Sequence, residues 1–266
     1  MSDSTNGKAT RTLRAWRGDA TGGKFEDYTV EVDQGMVVLD LIHRVQRDKA
    51  PDLACRWNCK AGKCGSCSME INGKPKLACM TRLGDYEAGE TIQVQPLKAF
   101  PIVRDLVTNV SWNYRQNERI TPFTPPPRPD GGTGDYRMQQ KDVDRIQEFR
   151  KCIECFLCQD TCHVIRNHHR EDKFVGPRFM IRLAQLEMHP LDTVDRIPAI
   201  KNEFGSGMCN ITKCCTEVCP EHINITDNGI IPLKERVVDR YYDPVTILMD
   251  RMRGGPKRTP PTPAAK

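Results

Sequence analysis

Alternating apolar and polar positions predict two β-strands near the beginning of the chain. One covers residues 11–17 and the other residues 27–32. In the second, Tyr28, Val30 and Val32 alternate with polar residues, as in a strand with one buried face. Glycine-containing dipeptides between the two segments favour a turn. The pattern therefore predicts two strands joined by a turn.

The spacing then becomes helical and later returns to strands. Apolar residues recur on one face through residues 36–48, which predicts an amphipathic helix. The dipeptide Asn72-Gly73 favours a type I′ turn of a hairpin. Short strands are predicted around that turn and after it, at residues 68–71, 76–80 and 91–95. Strand, strand, helix and short strands are the order of a β-grasp domain.

The second half of the chain has helical spacing and no convincing strand. Val143, Ile146 and Phe149 would share one helix face, which leads directly to a cysteine-rich run. Pro177 is expected to open another helix, and a last helix is expected after Pro232. The second half therefore reads as a helical domain.

Between the halves, a helix followed by a linker is predicted. Val103, Leu106, Val107 and Val110 are spaced as one helix face, and this helix would end near Asn117. The Pro- and Gly-rich residues that follow cannot continue it. The predicted organisation is a polar extension at 1–10, a β-grasp domain at 11–118, a linker at 119–140, a helical domain at 141–243 and a polar C-terminal tail at 244–266.

Composition and charge narrow the class of protein. With 266 residues, the chain is long enough for two domains that each bury a core. The net charge of +5 suits a face near anionic lipid or an acidic partner, or simply a mildly basic solvated surface. Nothing in the sequence indicates nucleic-acid binding.

The thirteen cysteines are the strongest chemical signal. The N-terminus is polar and lacks the apolar core of a signal peptide. The sequence also contains no run of about 18 apolar residues, the length that is needed to cross a membrane. We therefore expect a cytoplasmic protein, where thiols stay reduced and a disulfide scaffold is disfavoured. Cysteines grouped at tight spacings in such a chain indicate metal binding.

The first group of cysteines has the spacing of a plant-type [2Fe–2S] site. Cys59, Cys64, Cys67 and Cys79 reproduce the pattern C-x4-C-x2-C…C. A structural zinc site is the alternative, although zinc modules favour two separated C-x2-C pairs. Cys55 is not needed by the pattern and is expected to be a buried free cysteine.

Two glycines in the same loop suit this interpretation. Gly62 and Gly65 would let the backbone fold tightly around a cluster. They would also bring backbone N–H groups towards the sulfurs, where N–H groups stabilise negative charge.

A second group has the spacing of two-cluster bacterial ferredoxins. Cys152, Cys155, Cys158 and Cys162 form the run C-x2-C-x2-C-x3-C, in which the first three cysteines hold one cluster and the fourth belongs to another. The partner group ends in Cys219-Pro220, which matches the C-P that closes such a run. Cys152, Cys155, Cys158 and Cys219 would therefore bind a [4Fe–4S] cluster.

The remaining site is left with three thiolates. Counting back three residues from Cys215, the second-ligand position of an uninterrupted run falls at Thr212, whose hydroxyl is a poor iron ligand. Cys162, Cys209 and Cys215 would then bind a [3Fe–4S] cluster, which lacks the fourth iron. Two alternatives remain. Cys214 could replace Cys215 or act as a fourth ligand, and a pair of zinc sites could take the place of both clusters.

This arrangement resembles the iron–sulfur subunit of the succinate dehydrogenase/fumarate reductase family. The segment Arg56–Cys67, and Asn72-Gly73 followed by Leu77–Cys79, are similar to that family's first cluster motif, and the resemblance covers about residues 10–240. It implies an α+β chain, in which a β-grasp plant-type [2Fe–2S] ferredoxin domain precedes an all-α bacterial-ferredoxin-like domain with [4Fe–4S] and [3Fe–4S] clusters.

The resemblance also implies a role and partners. The chain would be the electron-transfer subunit of a succinate dehydrogenase, between FAD in a flavoprotein subunit and quinone in a membrane-anchor subunit. The [2Fe–2S] site would face the flavin and the three-iron site the membrane. No catalytic acid or base would belong to the chain itself. An iron–sulfur subunit of another flavin-linked dehydrogenase, or a zinc-stapled interaction module, is the alternative.

The sequence departs from the ubiquinone-linked members of this family near the third site. Those members carry Pro after the fourth cysteine of the run, then Trp, and a His after the cysteine equivalent to Cys209. Here His163 and Asn210 stand at the Pro and His positions, and residues 164–167 contain no Trp. The resemblance therefore implies a bacterial, menaquinone-linked enzyme. The chain would lie on the cytoplasmic face of the cell membrane as a peripheral subunit, and the membrane anchor could also hold haem.

Overall fold

A computed structural model of the chain describes residues 9–128, 132 and 135–252. The sheet-rich half contains β1 (Thr10–Asp19), β2 (Gly22–Glu31), α1 (Val38–Asp48), β3 (Ser68–Ile71), β4 (Lys74–Leu77), β5 (Ile92–Gln95), β6 (Ile102–Arg104), β7 (Val107–Thr108) and α2 (Ser111–Glu118). The helical half contains α3 (Gln140–Gln147), α4 (Leu157–Asp160), α5 (His163–Arg166), α6 (Pro177–Glu187), α7 (Ile197–Asn202), α8 (Cys214–Glu217), α9 (Ile231–Tyr241) and α10 (Pro244–Met252). Residues 254–266, which the sequence predicts to be a polar tail that is disordered alone or draped on a partner, lie outside the described residues.

The first half is built on a mixed five-stranded sheet in the order β2-β1-β5-β3-β4. β1 is antiparallel to β2 and parallel to β5, and β3 is antiparallel to both β4 and β5. The buried face of α1, which includes Leu41, Ile42 and Val45, joins the core formed by Leu13 and Ile92 of the sheet. The strands and the helix predicted from hydrophobic spacing are thus present.

The predicted hairpin turn has the expected backbone. Asn72 and Gly73 have φ angles of 46° and 76°, the left-handed conformation that a type I′ turn requires at both central residues. β4 begins at Lys74, directly after the turn, rather than at residue 76 as predicted.

The helix predicted from Val103 to Val110 is wrong. This segment forms the short antiparallel strands β6 and β7, and the helix α2 begins only at Ser111. Asp105, between the strands, has a left-handed φ of 48° and a buried carboxylate.

The buried carboxylate of Asp105 explains this difference. It accepts hydrogen bonds from the backbone N–H groups of Gly18, at 3.0 Å, and Ala54, at 2.8 Å. The guanidinium of Arg17 also donates a hydrogen bond to this carboxylate, at 3.1 Å. These partners are distant in sequence, so the hydrophobic spacing of the segment could not reveal them.

The helical half matches the prediction more closely. α6 begins at Pro177 and buries Phe179, Leu183 and Leu186. Leu233 and Val237 of α9 are buried as well. An additional helix, α10, lies in the segment interpreted as a tail. In the described part of the chain, no helix combines the length and apolar character needed to cross a membrane.

The first residues after α2 lie against the helical half. The guanidinium of Arg196, which is buried, donates to the backbone carbonyls of Thr121 and Pro122, each at 2.9 Å. The backbone N–H of Thr193 donates to the carbonyl of Thr124 at 3.0 Å. The beginning of the predicted linker is therefore held along the second domain.

A buried cluster of charges joins the two halves. Arg166 in α5 lies 2.6 Å from the fully buried carboxylate of Glu70 in β3, and 3.7 Å from Asp160 in α4. Asp160 also accepts a hydrogen bond from the backbone N–H of Ala99 at 2.9 Å. Burial, together with the neighbouring charge of Glu70, raises the pKa of Asp160 to about 7. One arginine thus contacts two buried carboxylates from different domains.

We predict that Arg166→Ala weakens the association of the two halves. Glu70 would remain buried without its closest cation, and breaking such a buried pair lowers the thermal unfolding midpoint by roughly 5–10 °C. Differential scanning calorimetry of the cluster-loaded chain measures this shift. Arg14→Ala is the control, because Arg14 pairs with Asp27 on the exposed surface and should change the midpoint much less. Equal shifts for the two variants would contradict the prediction.

Candidate iron–sulfur cluster sites

The first candidate site is a loop without regular structure between α1 and β3. The backbone N–H groups of Ala61 and Lys63 both donate to the Sγ of Cys59 at 3.3 Å. The N–H of Cys79 donates to the Sγ of Cys67 at 3.4 Å. Hydrogen bonds of this kind stabilise the thiolate form that iron requires.

Burial is uneven across the first site. Cys59 is exposed and Cys64 is half-buried, whereas Cys67 and Cys79 are buried. Burial raises the pKa of Cys67 to about 12. Burial also acts on Cys64, but hydrogen bonds with Ser66 and Cys59 outweigh it and lower the pKa of Cys64 to about 6. The loop therefore favours a thiolate on its outer side.

Exposed apolar side chains surround the outer side of this loop. Trp57 and Met80 are both exposed. The ring of Trp57 lies 4.8 Å from the ring of His43 and 4.8 Å from the ammonium of Lys60. These contacts hold a large aromatic surface beside Cys59.

Cys55 is not part of the four-cysteine pattern of the first site. It is half-buried and packs against the hydrophobic core. Burial raises the pKa of its thiol to about 12. The sequence predicts a buried free cysteine here, and the structure shows a half-buried one that packs on the core.

The two cysteine groups of the helical half share one backbone pattern. A 3₁₀ turn ends at Cys152 in the first and at Cys209 in the second. Left-handed residues then occur at matching positions, with φ near 60° in each case, and a one-turn helix follows. The matched pairs are Glu154 with Ile211, Phe156 with Lys213, and the first helical residues Leu157 with Cys214.

This internal repeat assigns each cysteine a counterpart. Four pairs follow from it, namely Cys152 with Cys209, Cys155 with Thr212, Cys158 with Cys215, and Cys162 with Cys219. Cys214 is equivalent to Leu157, which is not a sulfur position in the first group. The backbone therefore places a threonine where the first group has its second cysteine.

One cavity gathers four of the predicted ligands. Cys152, Cys155, Cys158 and Cys219 all line it, although Cys219 is far from the others in sequence. The cavity is also lined by apolar side chains, which include Phe156, Ile181, Ile223 and Ile225. Burial raises the pKa of Cys155 to about 12 and that of Cys158 well above its ordinary value. Of the four cysteines, Cys158 is buried and the other three are half-buried.

The third group consists of Cys162, Cys209 and Cys215, with Cys214 nearby. Burial raises the pKa of Cys162 and of Cys215 to about 11, and the charges of the neighbouring Cys209 and Cys214 add to the effect on each. The structure therefore brings the three predicted cysteines together. Cys215 also contacts the hydroxyl of Thr226 at 3.4 Å.

The thiol of Cys214 has its own partners. Its Sγ lies 3.3 Å from the carbonyl oxygen of Thr161 and 3.3 Å from the hydroxyl of Thr212.

The thiolate sets fit iron–sulfur clusters chemically. Two groups offer four cysteines and the third offers three, and backbone N–H groups already reach sulfur in the first site. Within the described residues, no three His, Cys, Asp or Glu side chains are placed to hold a single metal ion. In a cluster the cysteines are distributed over two or more iron atoms, so convergence on one point is not required.

The first and second sites are in direct backbone contact. A Cβ built on Gly65 would lie 2.7 Å from the Cα of Cys155, so only glycine fits there. Lys63 of the same loop forms an ion pair with Glu221, two residues after Cys219, at 3.2 Å. The sequence predicts a role for Gly65 within its own loop, but not this approach, because Cys155 lies in the other domain.

We predict that Gly65→Ala separates these two loops. The new methyl group would collide with the backbone of Cys155, in addition to the strain of a φ of 69°. We expect a lower thermal unfolding midpoint and faster loss of visible cluster absorbance on heating. Gly73→Ala is a matched control, because Gly73 has a φ of 76° but nothing within 4 Å of the added Cβ. Its cost should be limited to about 1 kcal/mol of backbone strain. Identical behaviour of the two variants would argue against the contact.

Family models match both halves of the chain. A 2Fe-2S iron-sulfur cluster binding domain matches residues 12–114, and a 4Fe-4S dicluster domain matches residues 148–223. These matches confirm the α+β organisation and the [2Fe–2S] and [4Fe–4S] cofactors expected from the sequence. They do not support the alternative of a zinc-stapled interaction module.

Similar proteins cover most of the chain. The fumarate reductase iron-sulfur subunit of Mycobacterium tuberculosis is 32% identical over 207 residues, which are 75% of this chain and 81% of that protein. The succinate dehydrogenase iron-sulfur subunit of Paracoccus denitrificans is 27% identical over 238 residues, 86% of this chain and 89% of that protein.

A solved structure agrees with these relatives. A chain of the Sdh1 complex of Mycobacterium smegmatis, in the apo form, is 62% identical and superimposes with a TM-score of 0.86, covering 90% of this chain and 99% of that one. These relatives agree with the electron-transfer role that the sequence predicts, as part of an oxidoreductase complex. They also agree with a [3Fe–4S] cluster, which is typical of such subunits. The chain belongs to the iron–sulfur subunits of the succinate dehydrogenase/fumarate reductase family.

Proposed function

We propose that this chain relays electrons between FAD in a flavoprotein subunit and quinone in a membrane-anchor subunit of a succinate dehydrogenase. The observation that carries the proposal is the backbone contact between Gly65 and Cys155, which supports adjacent placement of the first two cluster sites. Bound iron–sulfur clusters supply one-electron chemistry. The protein contributes the spacing of the sites, their hydrogen bonds and the exclusion of water.

The ligands of the first two clusters follow from the four-cysteine groups. Cys59, Cys64, Cys67 and Cys79 would hold the [2Fe–2S] cluster. Cys152, Cys155, Cys158 and Cys219 would hold the [4Fe–4S] cluster, and their position around one cavity supports this set.

Cys162, Cys209 and Cys215 would hold the [3Fe–4S] cluster. The internal repeat supports this set, because Thr212 stands where Cys155 stands in the first group. It also supports the exclusion of Cys214, which is equivalent to Leu157 and whose thiol faces the carbonyl of Thr161.

Both ends of the relay carry exposed apolar side chains. Exposed Trp57 and Met80 beside Cys59 suit a protein interface, where exposed apolar and aromatic side chains become buried. We assign this surface to the flavoprotein subunit. At the other end, Met208 and Ile211 flank Cys209 and are also exposed, which suits the membrane-anchor side.

The quinone is proposed to be menaquinone. His163, Asn210 and the absence of Trp from residues 164–167 depart from the residues that ubiquinone-linked members of the family place at this end. His163 is exposed, and its ring Nδ1 lies 3.4 Å from the side-chain amide of Asn167. The chain would lie on the cytoplasmic face of a bacterial cell membrane. The membrane-anchor subunit could also bind haem.

We predict that Thr212→Cys converts the third site to four iron atoms, because it supplies the missing thiolate at the position equivalent to Cys155. Electron paramagnetic resonance of the oxidised wild-type chain should show a three-iron signal, and the variant should lose it and gain a four-iron signal on reduction. Cys214→Ser is the control and should keep the three-iron signal. If Cys214→Ser abolished the third cluster, Cys214 would be a ligand.

We also predict that menaquinone copurifies with the complete complex. Organic extraction and chromatography of the purified complex identify the quinone directly. Ubiquinone in that extract would overturn the menaquinone proposal but would leave the cluster ligands untouched.

A further inference from the structure

The side chain of Arg178 brings a positive charge to the wall of the second cluster site. The four-cysteine cavity is the one lined by Cys152, Cys155, Cys158 and Cys219. Among the described residues that line it, only Arg178 and Glu221 are charged. Glu221 is paired with Lys63 at 3.2 Å. Arg178 is therefore the one cation among the described residues around this cavity.

The charge of Arg178 is buried and only partly balanced. The residue is 6% exposed, and its guanidinium pairs with the carboxylate of Glu154 at 2.5 Å. The side chain of Glu154 is 47% exposed, so solvent screens the charge of this partner. The Nε–H of Arg178 is buried and has no hydrogen-bond partner among the described residues. A buried donor without a partner is costly, which indicates that a ligand satisfies it.

The helix that carries Arg178 does not account for its charge. Arg178 is the second residue of α6, and the N-terminal end of a helix favours anions over cations. The backbone N–H of Arg178 donates to the side-chain oxygen of Gln159 at 3.4 Å. This contact positions the residue but does not require a positive charge. The cation therefore needs a negative partner other than its own helix.

Four thiolates and the cluster that they hold account for that partner. A [4Fe–4S] cluster with four thiolate ligands is negatively charged, and reduction adds one electron to it. A nearby cation therefore stabilises the reduced form more than the oxidised form. Arg178 already acts on one sulfur of the set, because burial raises the pKa of Cys152 and the charge of Arg178 opposes this rise.

We propose that Arg178 raises the reduction potential of the [4Fe–4S] cluster, because its buried charge stabilises the added electron. The inference rests on the proposed function in that the four-cysteine cavity holds this cluster. It adds a residue that binds no iron and yet sets how readily the middle station of the relay accepts an electron.

Redox titration of the purified complex, followed by electron paramagnetic resonance of the reduced four-iron cluster, tests this inference. Arg178→Gln removes the charge and keeps a polar side chain. At a fixed potential, we expect the ratio of reduced to oxidised cluster to fall to about one-tenth, which is a lowering of about 59 mV for one electron. Arg178→Lys keeps the charge and should recover more than half of this shift.

Glu154→Gln separates an electrostatic role from a structural one. It breaks the same ion pair as Arg178→Gln, so a purely structural effect would move the potential in the same direction in both variants. An electrostatic effect predicts opposite directions, because Glu154→Gln removes a negative charge and should raise the potential.

Arg182→Gln is the matched control. Arg182 lies one turn further along α6, is half-buried, and is not among the described residues that line the four-cysteine cavity. The same change of charge at this position should shift the potential by less than half as much.

Four results would overturn the inference. These are an unchanged potential in Arg178→Gln, equal shifts in Arg178→Gln and Arg182→Gln, equal shifts in Arg178→Gln and Arg178→Lys, or a lower potential in Glu154→Gln. If Arg178→Gln failed to retain the cluster, Glu154→Gln would decide, since a raised potential supports the inference and an unchanged one overturns it. A wild-type complex without any four-iron signal would instead overturn the proposed ligand set, so the two failures are distinguishable.

Discussion

The buried contact of Arg166 with Glu70 and Asp160 is the interaction on which the rest of this structure depends. It joins a strand of the sheet domain to the short helices that carry the cysteines of the second domain. Because the two carboxylates are fully buried, docking of the domains removes them from water, and the contact with Arg166 offsets this desolvation penalty. The contact favours one relative placement of the domains, and the close approach of Gly65 to Cys155 requires that placement.

The helical domain uses one backbone pattern twice with different side chains. Left-handed residues at matching positions give both cysteine runs the same backbone course, so Thr212 stands where the first run has Cys155. Thr212 offers a hydroxyl in place of a thiolate at that position, while the backbone keeps the same pattern. The difference between the two sites is therefore one of side-chain chemistry on a shared scaffold, and not of fold.

Hydrophobic spacing and turn signals predicted most of the regular elements. The strands of the β-grasp sheet, the helix at Val38–Asp48 and the helix opened by Pro177 all occur as expected. The spacing failed from Val103 to Val110, where a buried aspartate receives hydrogen bonds from Gly18 and Ala54. Spacing reports which side chains prefer burial. It does not report which distant backbone groups a polar side chain will satisfy.

The sequence by itself determined the candidate sites, because the cysteine spacings within each run reflect the reach of a short loop around a small cluster. The spacing also grouped Cys219 with Cys152, Cys155 and Cys158, and in the structure all four line one cavity. Only the tertiary structure brought Gly65 against Cys155. The apolar face of α10 is also a tertiary result. Its spacing is visible in the sequence, but whether that face points to the core or to solvent depends on how the helix packs against α9.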